Sequence, residues 1–403
     1  MTEGALAGIR VLDLSWVVAG PAVGRALADY GAEVIRVESA TRLDTSRLMG
    51  PFHGGTPTPE SSALYGDVNA GKLGLTLDLK LGAAREVVRD LVRRSDVVIE
   101  SFSPGVMEQW GLGYEQLRAL NERVIMLRTS LLGQTGPYGR FAGYGNIGAA
   151  MSGFHSLIGW PDRPPFGPYG PYSDYVAPRF ALVILLAALD RRLETGEGCC
   201  IDLAQAEAAA HFLAPQIADY RAHGRVAERA GNRDPTMAPH GVYPSADASW
   251  VTIAVRDDQE WRALSVCMEA PALASDARYL TTADRVARAG ELDDRLAAWT
   301  ARRKAAEIEA LLQAHGIPAH EALSSATAIR DPQFVARGHF VELDHPILGR
   351  TVVQGSRFRL SETPAAVERP APTLGRDNEH VLRHILGYDD ARIELLQATG
   401  ALT

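Results

Sequence analysis

Through its first 130 residues the chain alternates short, nearly continuous apolar runs with stretches of helical period. Residues 9–14 read as a buried strand, 21–30 as a helix closed by Gly31, and 33–37 as a second strand. A helix over 82–94, a strand over 96–100, a helix over 114–120 and a strand over 124–129 follow. Strands apolar on both faces and separated by helices imply parallel pairing through βαβ crossovers. This half therefore reads as α/β, with the look of a doubly wound sheet. Residues 39–74 interrupt the pattern as a Gly-, Pro- and Ser-rich stretch and read as loop.

Residues 134–173 are rich in Gly, Pro and Tyr. A loop so long inside a compact domain is functional or disordered, and its aromatic residues favour function. A helix is expected over 176–192, a strand over 199–203 and a helix over 204–218. Charge rises and large apolar residues thin out over 222–240, which reads as a linker. Beyond it, a strand over 250–255 with helices at 258–267, 286–298 and 303–314 suggests a smaller α+β domain spanning 241–328. Strands over 340–343 and 351–354 and helices over 377–386 and 389–398 end the chain.

Composition narrows the function class. The 403 residues carry 41 Lys and Arg against 49 Asp and Glu, a net charge of −8. That balance disfavours affinity built on phosphate neutralisation along nucleic acid, and 46% apolar residues disfavour disorder. Cys199, Cys200 and Cys267 suit neither a disulfide framework nor a zinc site. No apolar run approaches the roughly 18 residues of a spanning helix, and no secretory signal pattern opens the chain, so a soluble cytoplasmic protein is expected.

Familiar motifs are missing. Residues 17–24 lie between a strand and a helix, where α/β folds bind phosphates. Gly20 and Gly24 nevertheless miss the G-x-G-x-x-G spacing, and no Walker A motif occurs. There is no H-E-x-x-H, no paired Cys-x-x-Cys and no G-x-S-x-G elbow. His240, His339 and His345 stand too scattered to argue for a metal. Asp174 closes the Gly/Pro/Tyr loop ahead of a long helix. By residue type alone it reads first as a helix N-cap, with a carboxylate nucleophile as the alternative. A helix N-terminus would stabilise either.

Taken together and in order, several segments resemble the family III CoA-transferases, the group that holds formyl-CoA:oxalate, carnitine and benzylsuccinate CoA-transferases and the 2-methylacyl-CoA racemases. They include GIRVLDLSWVVAGP at 8–21, LADYGAEVIRVES at 27–39, NAGKLGLTLDLK at 69–80, SDVVIESFSPGVMEQWGLGYEQL at 95–117, LLGQTGPY at 131–138 and DPQFVARGHFVELDHPILGR at 331–350. The resemblance implies a Rossmann-like large domain formed by both chain ends, 1–222 and 329–403. A linker at 223–240 would lead to the small domain at 241–328. Two such subunits would interlock as a homodimer, with a heteromer built on a paralogue as the variant.

The resemblance also assigns chemistry. The family nucleophile stands a fixed distance before Ala187-Ala188-Leu189-Asp190 and Thr195-Gly196-Glu197-Gly198, which places it at Asp174. CoA contacts carry over to Val17, Val18, Arg47, Leu77, Lys80, Ser101 and Phe102, and a substrate pocket to Gly133, Gln134 and Tyr144. Glycines over 132–136 would leave N–H groups for an oxyanion. The implied partners are an acyl-CoA donor and a carboxylic acid acceptor, with no metal, nucleic acid or membrane. The sequence departs from the family pattern at Val18, Ser101, Gly145 and Ser173, and Val18 argues against very small polar acids. Trp16, Tyr144, Phe154 and Tyr172 are either aromatic lining or core. A CoA-ester racemase, which needs two facing bases, and a CoA-binding partner subunit are the competing readings.

Overall fold

The computed structural model describes residues 4–403. Six parallel strands form one sheet in the order β3-β2-β1-β4-β5-β6. They are β1 (Arg10–Asp13), β2 (Glu33–Glu38), β3 (Leu73–Thr76), β4 (Val97–Glu100), β5 (Ile125–Ser130) and β6 (Cys200–Ala204). Alternate residues of each strand feed opposite faces, as the two-residue strand period demands. Leu12, Ile35, Leu75, Val98 and Met126 pack with the Gly82–Val92 helix and with Val381, Leu382 and Leu396 from the C-terminal segment. Val11, Val34, Val97, Ile99, Ile125 and Leu127 face the other way, against Val23 and Leu27 of the Ala19–Asp29 helix and Ala181, Leu185 and Leu189 of the Tyr172–Thr195 helix.

The strand order reverses between β1 and β4, the switch point at which open α/β sheets leave a crevice beyond the strand ends. The chain forms two compact units. Of the described residues, one comprises those up to 155, 167–226 and 332–403, and the other 156–166 and 227–331. The second unit carries the antiparallel sheet of β7 (His240–Pro244), β8 (Trp250–Ala254) and β9 (Ala319–Glu321). Its core gathers Trp261, Tyr279, Leu292 and Trp299. The expected linker thus ends in a strand, and 156–166 sits with this unit rather than within the long loop of the first.

Other differences have local causes. The stretch read as loop over 39–74 holds the Ala63–Asn69 helix and the start of β3. Gly74 hides that strand in the sequence. A Cβ there would stand 2.7 Å from Pro372 Cβ, while Asp377 accepts the Gly74 N–H at 2.7 Å, so the C-terminal segment demands a glycine. The helix expected over 204–218 breaks into Gln205–Ala210 and Ala214–His223. Pro215 has no N–H with which to continue the first segment. The helix expected over 176–192 spans Tyr172–Thr195, so Asp174 lies inside its first turn and Pro171 takes the cap position. This 24-residue helix is long and apolar enough to cross a membrane by length and composition, which the run-length reading had not anticipated. Half of its most apolar window is buried, and it packs against the sheet as a core helix.

Candidate active site

The walls of the crevice follow strand C-termini. Trp16–Ala19 follow β1, Ser39–Arg42 follow β2, Leu77–Lys80 follow β3, Ser101–Pro104 follow β4, Leu131 follows β5 and Gln205 follows β6. They enclose an outer cavity of about 300 Å³ and an inner one of about 350 Å³. Trp16, Ser101, Phe102 and Ser103 line both. Each cavity alone lies at the small end of the range for ligand sites, and the two are neighbours divided by this shared wall.

The outer cavity is aromatic and edged with cations. Phe102 meets Trp110 edge-on at 5.1 Å and Trp16 at 6.2 Å. The Arg42 guanidinium lies 5.0 Å from the centroid of the Trp16 ring, and the exposed Lys80 stands on the same rim. Flat rings beside mobile cations suit a heteroaromatic group carrying phosphates.

The inner cavity holds Asp174, 6% exposed. Burial pushes its carboxyl up to about 7, opposed by the Gly145 N–H that donates to it. No Lys, Arg or His is among the described lining residues. A buried carboxylate with one N–H donor and no counter-ion keeps its basicity near neutrality. Gly145 must be glycine for this contact, because a Cβ there would meet Asp174 Cγ and Oδ2 at 2.9 Å and Pro171 Cβ at 2.5 Å. Ser173 Oγ donates to the Gly145 carbonyl at 3.1 Å and lies 3.5 Å from Gln205 Oε1. The two family departures at 145 and 173 are therefore packed against each other beside the carboxylate.

The structure gathers Val17, Val18, Ser101, Phe102, Tyr144 and Asp174 around the inner cavity and Leu77 and Lys80 around the outer one. Arg47 lies elsewhere. It is fully buried, bidentate to Glu38 at 2.9 Å, bonded to Glu60 at 2.8 Å and stacked 3.7 Å from the Tyr65 centroid. Its donors are spent on the protein, so it lines neither cavity. Gly133 and Gln134 also stand behind the lining. The Gln134 N–H goes to the Asp202 carboxylate at 3.0 Å, which withdraws it from any oxyanion, and its amide reaches Ser130 Oγ at 3.4 Å. Phe154 and Tyr172 pack on each other at 4.8 Å, outside the lining. Sequence reading missed Arg42, Trp110 and Gln205. The strand-end position of Arg42 and Gln205 was the available signal, since each follows the C-terminus of a parallel strand.

Among the described residues no group of three or more His, Cys, Asp and Glu is placed to hold a metal. The model of CoA-transferase family III matches residues 6–378. The chain is 37% identical over 391 residues to a succinyl-CoA–D-citramalate CoA-transferase of Chloroflexus aurantiacus, covering 97% of this chain and 96% of that one. It is 37% identical over 384 residues to a succinate–glutarate CoA-transferase of Agrobacterium fabrum, covering 94% and 95%. A crystal structure of a CAIB/BAIF family protein from Brucella suis superposes with a TM-score of 0.87 at 32% identity, covering 96% of this chain and all of the other.

Proposed function

Since the chain belongs to CoA-transferase family III, we propose that Asp174 carries the CoA group between two carboxylic acids as a covalent intermediate. Its carboxylate attacks the thioester carbonyl of the donor acyl-CoA. The C–S bond breaks, CoA leaves as thiolate, and an aspartyl–acyl anhydride remains. The thiolate then attacks the aspartyl carbonyl, the donor acid departs as carboxylate, and an aspartyl-CoA thioester stands in its place. An acceptor carboxylate attacks that thioester, and the released thiolate takes the acceptor acyl group from the second anhydride, which regenerates Asp174. One thioester is consumed and one is formed, with the anhydrides as transient high-energy intermediates, so no outside energy source enters.

The observation that carries this reading is the environment of Asp174. It is a desolvated carboxylate of raised basicity on the wall of a cavity that shares Trp16, Ser101, Phe102 and Ser103 with an aromatic, cation-edged chamber. A nucleophile of raised basicity attacks a thioester faster, and exclusion of water protects the anhydride from hydrolysis. The outer chamber suits the adenine and phosphates of CoA, with Phe102 and Trp16 as stacking surface and Arg42 and Lys80 as cations. The inner lining, with one carboxylate and no imidazole among the described residues, supports transfer over the two-base racemase reaction. Val17, Val18, Leu131 and Phe141 give it an apolar side, which favours acids with a carbon body over oxalate. Relatives named for citramalate and glutarate make succinyl-CoA the first donor to try.

The chain is read as a soluble cytoplasmic homodimer, in keeping with the apolar Val183 and Leu193 left 71% and 76% exposed on a helix of the first unit. The test is incubation with succinyl-CoA and hydroxylamine, followed by peptide mass spectrometry. A hydroxamate on Asp174 is expected. Transfer that proceeds while Asp174 stays unmodified refutes the covalent route.

A further inference from the structure

Among the described residues three that are not glycine, Val17, Ala248 and Glu269, have positive φ. Of these, Val17, at 65°, is the β-branched one and the one that lines the cleft. Left-handed backbone is costly for a residue with a Cβ and most costly when that carbon is branched. It persists where the surroundings over-determine it. The strand-to-helix loop that carries Trp16, Val17 and Val18 is therefore held by something outside itself.

The holding group is Asp44. Both of its carboxylate oxygens accept the Val17 N–H, at 3.1 and 3.2 Å. Asp44 is 1% exposed and anchored on its other sides. It accepts the Ser46 N–H at 2.8 Å, which caps the Thr45–Leu48 turn, and it pairs with the Arg36 guanidinium. Arg36 belongs to β2, is fully buried, and also faces Asp13 at the end of β1 at 3.5 Å. The carboxylate is thus tied to the sheet. The neighbouring Trp16 N–H is accepted by Ser101 Oγ at 2.8 Å. Two consecutive N–H groups are consequently pinned to opposite sides of the crevice, one to the segment after β2 and one to the segment after β4.

We infer that Asp44 is a positioning residue for CoA transfer: by accepting the Val17 N–H it holds the β1 loop in its left-handed turn and so sets Trp16 and Val18 in the cleft wall. The inference rests on the reading of this cleft as the acyl-CoA site. Asp44 itself lines neither cavity and acts through the loop. The role differs from that of a plain counter-ion to Arg36, which would be indifferent to the residue at position 17.

A double-variant cycle separates the two roles. Asp44→Ala is measured alone and combined with Val17→Gly, since glycine adopts a positive φ without cost. Asp44→Asn serves as the milder partner, because it keeps the shape and one accepting oxygen and so preserves the fold should the alanine variant not accumulate. The readout is KM for acyl-CoA alongside kcat. A rise in KM of about tenfold is expected for the Asp44 variant in the Val17 chain, and less than threefold relative to V17G in the double variant. An equal factor in both backgrounds overturns the positioning role and leaves Asp44 a counter-ion. An unmodified chain that binds acyl-CoA in this cleft but transfers nothing overturns the transferase reading, and the same cycle read by acyl-CoA binding still decides the positioning role.

Discussion

Replacing Asp174 by Asn is expected to stabilise the protein while it stops transfer. The folded state holds this carboxyl at about 7 against 3.8 for the free side chain, through burial without a counter-ion. Ionising it inside the fold therefore costs about 4 kcal/mol relative to the unfolded chain. The sign follows from proton counts. Between about pH 4 and 7 the folded state binds more protons than the unfolded state, so stability falls as pH rises through that window and is level above it. Asparagine removes the charge and keeps an oxygen for the Gly145 N–H. Across 403 residues, 4 kcal/mol corresponds to a rise in melting temperature of about 5 °C. Differential scanning calorimetry of the two proteins at several pH values measures it. The gain of D174N should be full at pH 8, partial near pH 5.5 and absent near pH 4, with transfer reduced by roughly 10³ or more at every pH. A variant that melts at or below the unmodified protein at pH 8, or a gain that ignores pH, would refute the picture of a desolvated, uncompensated carboxylate.

Three further outcomes follow from the same geometry. For the free enzyme, kcat/KM for acyl-CoA should rise with pH to a plateau, with an apparent pKa near 7, as Asp174 ionises. A profile flat between about pH 5.5 and 8.5 contradicts this. Gly145→Ala places a methyl within 2.9 Å of the Asp174 carboxyl. Displacing the nucleophile this way should lower kcat by about 10² with little change in KM, as steady-state kinetics would record. Arg47→Met leaves the buried Glu38 without its bidentate partner, and urea denaturation should register a loss of about 3–5 kcal/mol.

How much of this was readable in advance depends on how local each signal is. Five of the six strands of the large sheet were placed within a residue or two, because the burial of a parallel strand is written as a short continuous apolar run. The strand that escaped, Leu73–Thr76, owes its glycine to Pro372, some 300 positions away in sequence. Asp174 was legible as a residue type at the start of a helix, and family resemblance raised it above the cap reading. The residues around it were partly misplaced. Gly133 and Gln134 sit in the expected turn, but Asp202 takes the Gln134 N–H, and Gln205 enters the cavity from the end of β6 without any motif to announce it.

The sequence by itself determined the alternation of strands and helices, the order of the segments and the presence of a carboxylate where the long loop meets its helix. These are properties of periodicity and residue type, carried by neighbours in the chain. Tertiary structure alone decided that Arg47 is spent on Glu38 and Glu60, that Arg42 and Trp110 edge the outer chamber, and that Asp44 holds Val17 in a left-handed turn. It also decided the proton affinity of Asp174. Desolvation and hydrogen bonding depend on which distant segments close over a group, here the helix starts at Gly145 and Gln205, and no local pattern records that approach.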